Sequence, residues 1–187
     1  MATQTQSLRD ARIESLHNAI DRVSSVIEGF KIEAVGDRVI MTPQSSVQSE
    51  TIADVIDAVR AALGRKRAYS DVLIKFPGEP ERCPDVAILE AGAKEQYSYE
   101  DLLAAIEVVS SKYDKNDYVV KTEQYARFNV PIYLIIDPFR GECDLLTRPL
   151  DGTYATRDLF KYGDLITLHL ADGSAVALPT DTFDRRK

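Results

Sequence analysis

The sequence predicts an α/β fold in which a mixed β-sheet packs against at least two helices. Two observations support this prediction. Apolar residues recur at helical spacing in two segments of the first third of the chain, and short apolar runs bounded by Pro or Gly fill most of the remainder. One of these runs is almost uniformly apolar, as expected for a central strand covered on both faces. A length of 187 residues favours a single domain.

The two predicted helices lie on either side of a β-hairpin. The first spans residues 7–28, and its apolar face repeats every three or four residues, at Ile13, Leu16, Ile20, Val23 and Ile27. The second ends at Gly64, and its apolar face is formed by Ile52, Val55, Ile56, Val59 and Leu63. Both faces are suited to packing against a sheet.

Strands account for most of the other predicted elements. The predicted strands are 31–35 and 38–42 around Gly36-Asp37, followed by 70–76, 84–90, 102–110 and 131–137. A third helix is expected over about 114–128. Turns at Asp151-Gly152 and Asp172-Gly173 predict two antiparallel hairpins in the remaining segment.

Composition excludes several classes of function. The chain has 23 Lys and Arg against 30 Asp and Glu, and its net charge of -7 argues against a simple electrostatic nucleic-acid binder. No apolar run approaches the ~18–20 residues of a membrane span, and the first residues lack the apolar region of a secretory signal. Cys83 and Cys143 form neither a disulfide framework nor a zinc pattern. We therefore expect a soluble, cytoplasmic protein with no membrane association, whose chemistry rests on carboxylates, amines or backbone groups.

Two carboxylates occupy positions that invite a functional interpretation. Glu107 lies within the most apolar run, where an unpaired carboxylate would cost several kcal/mol. Asp85 opens the preceding predicted strand. If these strands are neighbours, the two carboxylates converge at one edge of the sheet and, with a backbone carbonyl and waters, form a donor set that suits Mg²⁺. Alternatively, Glu107 pairs with a helix lysine and Asp85 caps a turn; spacing alone does not decide.

The helix that follows Glu107 carries further polar residues on one face, at Asp114, Asp117, Lys121 and Gln124. Folding back on the sheet, this helix would aim that face at the two carboxylates, and Lys121 would hold or polarise an attacking water. The structural alternative is an exposed Asp117–Lys121 ion pair, worth about 0.3–0.5 kcal/mol.

Three segments together resemble a known family. They are PDVAIL (84–89), IEVVS (106–110) and DYVVKTEQYARFNVPIYLIIDP (117–138), and the hairpin GFKIEAVGDRVIMTPQSS precedes them. The combination is similar to the Uma-two-type family of predicted restriction endonucleases, a branch of the PD-(D/E)XK nuclease fold. The resemblance covers roughly residues 28–140. The chain departs from the family pattern at Leu134, where Trp is common, at Asn129, where Gly is common, and at Gln48, where His is frequent.

The resemblance implies a PD-(D/E)XK restriction-endonuclease-like mixed sheet flanked by helices. It also implies that Asp85 and Glu107 ligate Mg²⁺ or Mn²⁺. Lys121 would stand in for the signature lysine, because Val109 occupies that position on the strand. Glu33 and Gln124 would make accessory contacts.

With this resemblance, the single domain of residues 1–187 divides into the N-terminal helix 7–28, a nuclease core over about 28–140 and a C-terminal hairpin region over 141–180. The expected function is a metal-dependent DNA endonuclease that hydrolyses phosphodiester bonds. The alternative is a catalytically silent nuclease-fold module that binds DNA or another protein.

Two dense basic clusters are candidates for contacts with DNA. They are Arg65-Lys66-Arg67 and Arg185-Arg186-Lys187. Their structural interpretations are a solvated helix end and a frayed tail. A protein with a net charge of -7 should bind DNA weakly and with steep salt dependence unless a partner or a homodimer contributes contacts.

Overall fold

The computed structural model describes residues 30–35, 38–112 and 114–186, together with Ala11 and Ser15, and in residues 30–35 and 38–43 it describes the strand backbone only. Ala11 and Ser15 are helical, but the rest of the predicted helix 7–28 lies outside the described residues, as does the Gly36-Asp37 turn. In chain order the elements are β1 (Phe30–Val35), β2 (Arg38–Pro43), α1 (Ser46–Leu63), β3 (Ala68–Tyr69), β4 (Val86–Leu89), a 3₁₀ turn (Tyr99–Asp101), β5 (Leu102–Val108), a π-helical turn (Asn116–Lys121), α2 (Thr122–Arg127), β6 (Ile132–Asp137), β7 (Glu142–Leu150), β8 (Thr153–Lys161), β9 (Leu165–His169) and β10 (Ala175–Pro179).

A mixed six-stranded sheet forms the centre of the described chain, in the order β3-β4-β5-β6-β7-β8. Its neighbouring strands are antiparallel except for β5 and β6, which run parallel. A parallel pair requires a crossover connection, and here the π-helical turn and α2 supply it. The crossover starts at the end of β5 and therefore begins close to Glu107.

Each face of the sheet is covered by a different layer. On one face, Ile106 and Val108 of β5 pack into a core with residues of α1, β9 and β10: Ile52, Val55, Val59, Ile166, Leu168, Val176 and Leu178. On the other face, Ala105 and Val109 pack into a core with Tyr125 of α2 and Tyr133 and Ile135 of β6. Every residue of β5 is buried, which confirms the central strand expected from its apolar run.

Most of the predicted elements in the described part of the chain are confirmed. The hairpin β1–β2, the second helix, the strands β4, β5 and β6 and both later hairpins are present. Gly64 ends α1 as predicted, with φ at 87° and its N–H donating to the Arg60 carbonyl at 2.9 Å.

One predicted strand differs from the structure. The predicted strand 70–76 is wrong: this segment makes only single bridges, from Ile74 to Arg82 and from Lys75 to Ser98. Its run is interrupted at Asp71, which has a φ of 54°. After residue 140, the predicted hairpin β7–β8 also extends the central sheet. No helix of the described residues is long and apolar enough to span a membrane.

Burial in β7 gives Cys143 a measurable effect on alkaline stability. Burial raises the pKa of its thiol from 9.0 to about 12. Between these values the unfolded chain releases a proton that the folded chain retains, so stability falls as pH rises above 9. Between pH 8 and pH 10.5, we expect the free energy of unfolding to fall by about 2 kcal/mol more in the wild-type protein than in Cys143→Ala, as measured by urea unfolding. Equal losses in the two proteins would contradict this prediction.

Candidate active site

The register of β4 and β5 aligns the two carboxylates predicted as metal ligands. Val86 pairs with Ile106 in an antiparallel ladder, so continuing the register by one residue brings Asp85 opposite Glu107. Both side chains then lie on the α2 side of the sheet, because alternate residues of a strand share a face. Asp85 also accepts a hydrogen bond from the backbone N–H of Val108, with its Oδ2 at 2.7 Å. The structure therefore brings Asp85 to the strand end that carries Glu107.

Lys121 reaches this strand end from the crossover. Its Nζ lies 2.9 Å from Glu107 Oε1 and 2.8 Å from Asp117 Oδ1. Exposure is only 1% for Lys121, 0% for Glu107 and 4% for Asp117. The exposed Asp117–Lys121 pair considered as the structural alternative is therefore wrong, since this pair is buried. The other alternative, a pair between Glu107 and a helix lysine, is present and forms part of the same cluster.

The π-helical turn fixes the position of Asp117 and Lys121. Its wider turns are uncommon and occur frequently at functional sites. Here the Asp117 carbonyl accepts hydrogen bonds from the hydroxyls of Thr122 and Tyr133, both at 3.0 Å. Tyr133 is fully buried in β6. The turn is thus tied to the sheet beneath it, which holds the Lys121 amine over the end of β5.

Gln124 contacts the segment before Asp85. Its Oε1 accepts from Arg82 Nε at 2.6 Å, and its Nε2 donates to the Pro80 carbonyl at 2.8 Å. Gln124 and Arg82 are 1% and 4% exposed. These contacts of Gln124 therefore anchor the loop that leads into β4, and its predicted accessory role in catalysis stays a prediction.

Two further residues of the site were not among the residues assigned from the sequence. Asp117 was recognised only as a helix-face residue, although its spacing of four from Lys121 was the available signal. Gln48 lies in the first turn of α1, where Ser45 Oγ accepts its backbone N–H at 3.3 Å. Its side-chain Nε2 lies 3.4 Å from the Val108 carbonyl, and it is 3% exposed. No local pattern relates Gln48 to Val108, which lies 60 residues further along the chain.

Glu33, the other predicted accessory residue, lies in β1 opposite Ile40. Its side chain is outside the described part of the chain.

The donor set at this strand end fits a hard divalent cation. Mg²⁺ takes oxygen ligands, keeps several waters and often uses only one or two carboxylates. Asp85, Glu107 and the Val108 carbonyl provide such oxygens. Among the described residues, no group of three or more His, Cys, Asp or Glu side chains forms a metal-binding cluster. The residues fit a two-carboxylate site completed by the backbone and water.

Fold and site together define a class of protein. A mixed sheet with a parallel central pair, carrying carboxylates on adjacent strands and a lysine from the crossover, has the features of a restriction-endonuclease-like fold. The model of the family described as "Uma2: Putative restriction endonuclease" matches residues 26–179. The chain belongs to this family, and its membership supports a nuclease.

A solved structure is similar in fold. It is the crystal structure of a protein from Anabaena variabilis described as "a putative nuclease belonging to DUF820". The similarity has a TM-score of 0.55 at 14% sequence identity and covers 72% of this chain and 79% of that one. At this identity the likeness shows the fold alone. No curated protein matches the chain.

Proposed function

We propose that this protein is a metal-dependent DNA endonuclease that hydrolyses phosphodiester bonds. The observation that carries the proposal is the buried cluster at the end of β5, where Lys121 contacts Glu107 and Asp117 on the side of the sheet that Asp85 shares. Buried ionisable groups are expensive to maintain, and they concentrate at sites with a chemical task. Family membership supports the same class of reaction.

In this proposal Asp85 and Glu107 hold Mg²⁺ or Mn²⁺ together with the Val108 carbonyl. Such an ion, when bound, lowers the pKa of water and offsets negative charge on the phosphoryl oxygens. Asp85 is oriented by the Val108 N–H at 2.7 Å, so its carboxylate is held against the strand that carries Glu107. From α1, the Gln48 side-chain Nε2 donates to the same carbonyl at 3.4 Å.

Lys121 acts as a cation rather than as a base. Carboxylates at 2.9 Å and 2.8 Å favour the ammonium form of its side chain, and an ammonium group donates hydrogen bonds but accepts none. Its task is then to stabilise negative charge that develops on the phosphate or on the attacking oxygen. Asp117 keeps the amine in position by pairing with it across one turn.

One observation favours the alternative, a catalytically silent nuclease-fold module. Lys121 lies between two carboxylates, and its two ion pairs offset the charge of both of them. A buried ion-pair cluster of this kind is also compatible with a purely structural role. Such a module would bind DNA or another protein without cutting it.

Plasmid and single-stranded DNA, each incubated with purified protein in Mg²⁺, Mn²⁺ or EDTA, distinguish the two functions. We expect nicked or linear products only with a divalent ion, because the two carboxylates need the ion to act on phosphate. Light scattering on the same preparation reports whether the protein is a homodimer. Folded protein that binds DNA but releases no product under any condition would favour the silent module.

A further inference from the structure

The segment around Arg185 and Arg186 is docked against the fold. Phe183 is 6% exposed and its ring makes an edge contact with Tyr162, with centroids 5.5 Å apart. The backbone N–H of Arg186 donates to the Pro138 carbonyl at 2.9 Å. The frayed tail considered for this basic cluster is therefore wrong for Arg185 and Arg186, whereas Lys187 lies outside the described residues.

Arg186 lies at the edge of the sheet that carries the candidate active site. Its Nη1 donates to the Ser110 carbonyl at 3.0 Å, and its guanidinium lies 5.1 Å from the centre of the Phe139 ring. Ser110 follows β5 and Pro138 follows β6. Because β5 and β6 are parallel, their carboxyl ends meet at one edge, where Glu107 is the penultimate residue of β5.

Two more arginines lie beside Arg186. Arg185 is exposed, and its guanidinium lies so close to Gly141 that a Cβ at that position would collide with it. Arg140 has 56% of its side chain exposed and lies 5.2 Å from the centre of the Tyr118 ring, next to Asp117 in the π-helical turn. We refer to Arg140, Arg185 and Arg186 as the strand-end arginines.

The other basic cluster lies at the opposite edge of the sheet. Arg67 donates from Nε to the carbonyl of Leu89 at 2.6 Å, and Leu89 is the last residue of β4. Asp85 precedes the first residue of the same strand, so the length of β4 separates this cluster from the candidate active site. Arg65 is exposed near this far edge and provides a matched control.

We propose that the strand-end arginines form the surface that binds the phosphate backbone of duplex DNA and holds it over the candidate active site. This inference rests on the proposed function for its substrate class. The candidate active site contains the carboxylates of Asp85, Glu107 and Asp117 together with the amine of Lys121. The whole chain has a net charge of -7. A polyanion approaching this edge needs local cations, and arginine guanidinium groups pair well with phosphate.

The test is binding of a fluorescein-labelled DNA duplex, measured by anisotropy in EDTA over a series of NaCl concentrations. The slope of log K against log salt is negative, and each lost phosphate contact makes it shallower by about 0.9. At 0.1 M salt this corresponds to about eightfold weaker binding. We expect this result for Arg186→Gln, and about 60-fold weaker binding for Arg140→Gln combined with Arg186→Gln. Arg65→Gln should bind as the wild type does.

Several outcomes would overturn the proposal. Wild-type protein that does not bind the duplex at low salt would do so, as would an Arg186→Gln variant with unchanged affinity and salt slope. If Arg186→Gln does not fold, two other variants replace it. Arg140→Gln should bind DNA about eightfold more weakly than the wild type. Arg186→Lys keeps the positive charge and should lose little affinity. Arginine-dependent binding without cleavage in Mg²⁺ would support the surface and reject the endonuclease.

Discussion

Replacing Glu107 by Gln is expected to lower metal-dependent DNA cleavage by at least about 10³-fold, because the variant loses one of two carboxylates that would hold the ion. Gln has nearly the same size and shape, so the packing of β5 is retained. Glu107 is fully buried and contacts Lys121. The substitution therefore removes one of the negative charges beside the Lys121 amine. The measurement is the rate of plasmid nicking in Mg²⁺ at matched protein concentrations.

The fold should survive this substitution. Lys121 keeps its contact with Asp117 at 2.8 Å, so the buried amine is not left without a carboxylate. We therefore expect a melting temperature within a few degrees of the wild type. Asp101→Asn is the matched control, because Asp101 caps the turn at the other end of β5, where its Oδ2 accepts the Ser98 N–H at 2.8 Å. This control should cut DNA at the wild-type rate.

An unfolded Glu107→Gln protein would show that the glutamate is a structural member of the ion-pair cluster. A folded variant with full activity would instead exclude Glu107 as a metal ligand. Both results are distinguishable from an inactive, folded variant, which is the only outcome that supports the proposed chemistry.

Local sequence was sufficient to predict the strands that carry the site. The apolar run around Glu107 predicts a buried central strand, and the spacing of Asp117 and Lys121 predicts that they share one side of a helix. What the sequence could not decide was whether that side faces solvent. The answer depends on Tyr133, whose hydroxyl donates to the Asp117 carbonyl from another element of the fold.

Several contacts that the sequence did not predict join distant parts of the chain. Gln48 approaches the Val108 carbonyl from α1, and Arg82 bonds Gln124 across 42 residues. The docking of Arg186 against Ser110 spans 76 residues. Neither composition nor periodicity contains such pairings, because both describe neighbours along the chain and not neighbours in space.

The buried amine of Lys121 has the second large expected effect, on stability as well as on activity. Lys121→Met keeps a long unbranched side chain but removes the cation that contacts Glu107 and Asp117. Removing one partner of a buried ion pair costs about 3–5 kcal/mol. For a protein of this size we expect a drop of about 10 °C in melting temperature in EDTA. Cleavage in Mg²⁺ should fall by about 10²-fold or more, because charge on the phosphate is no longer stabilised by the amine.

A divalent ion should recover part of the stability that Lys121→Met loses. Mg²⁺ bound at Glu107 would replace some of the missing positive charge, so the ion should raise the melting temperature of the variant more than that of the wild type.

Combining Lys121→Met with Glu107→Gln should lower the free energy of unfolding by less than the sum of the two single changes, since the two side chains are in contact. Lys115→Met, at an exposed position before the π-helical turn, is the control and should change neither property. If Lys121→Met melts and cuts DNA like the wild type, then Lys121 neither compensates the buried carboxylates nor assists the reaction.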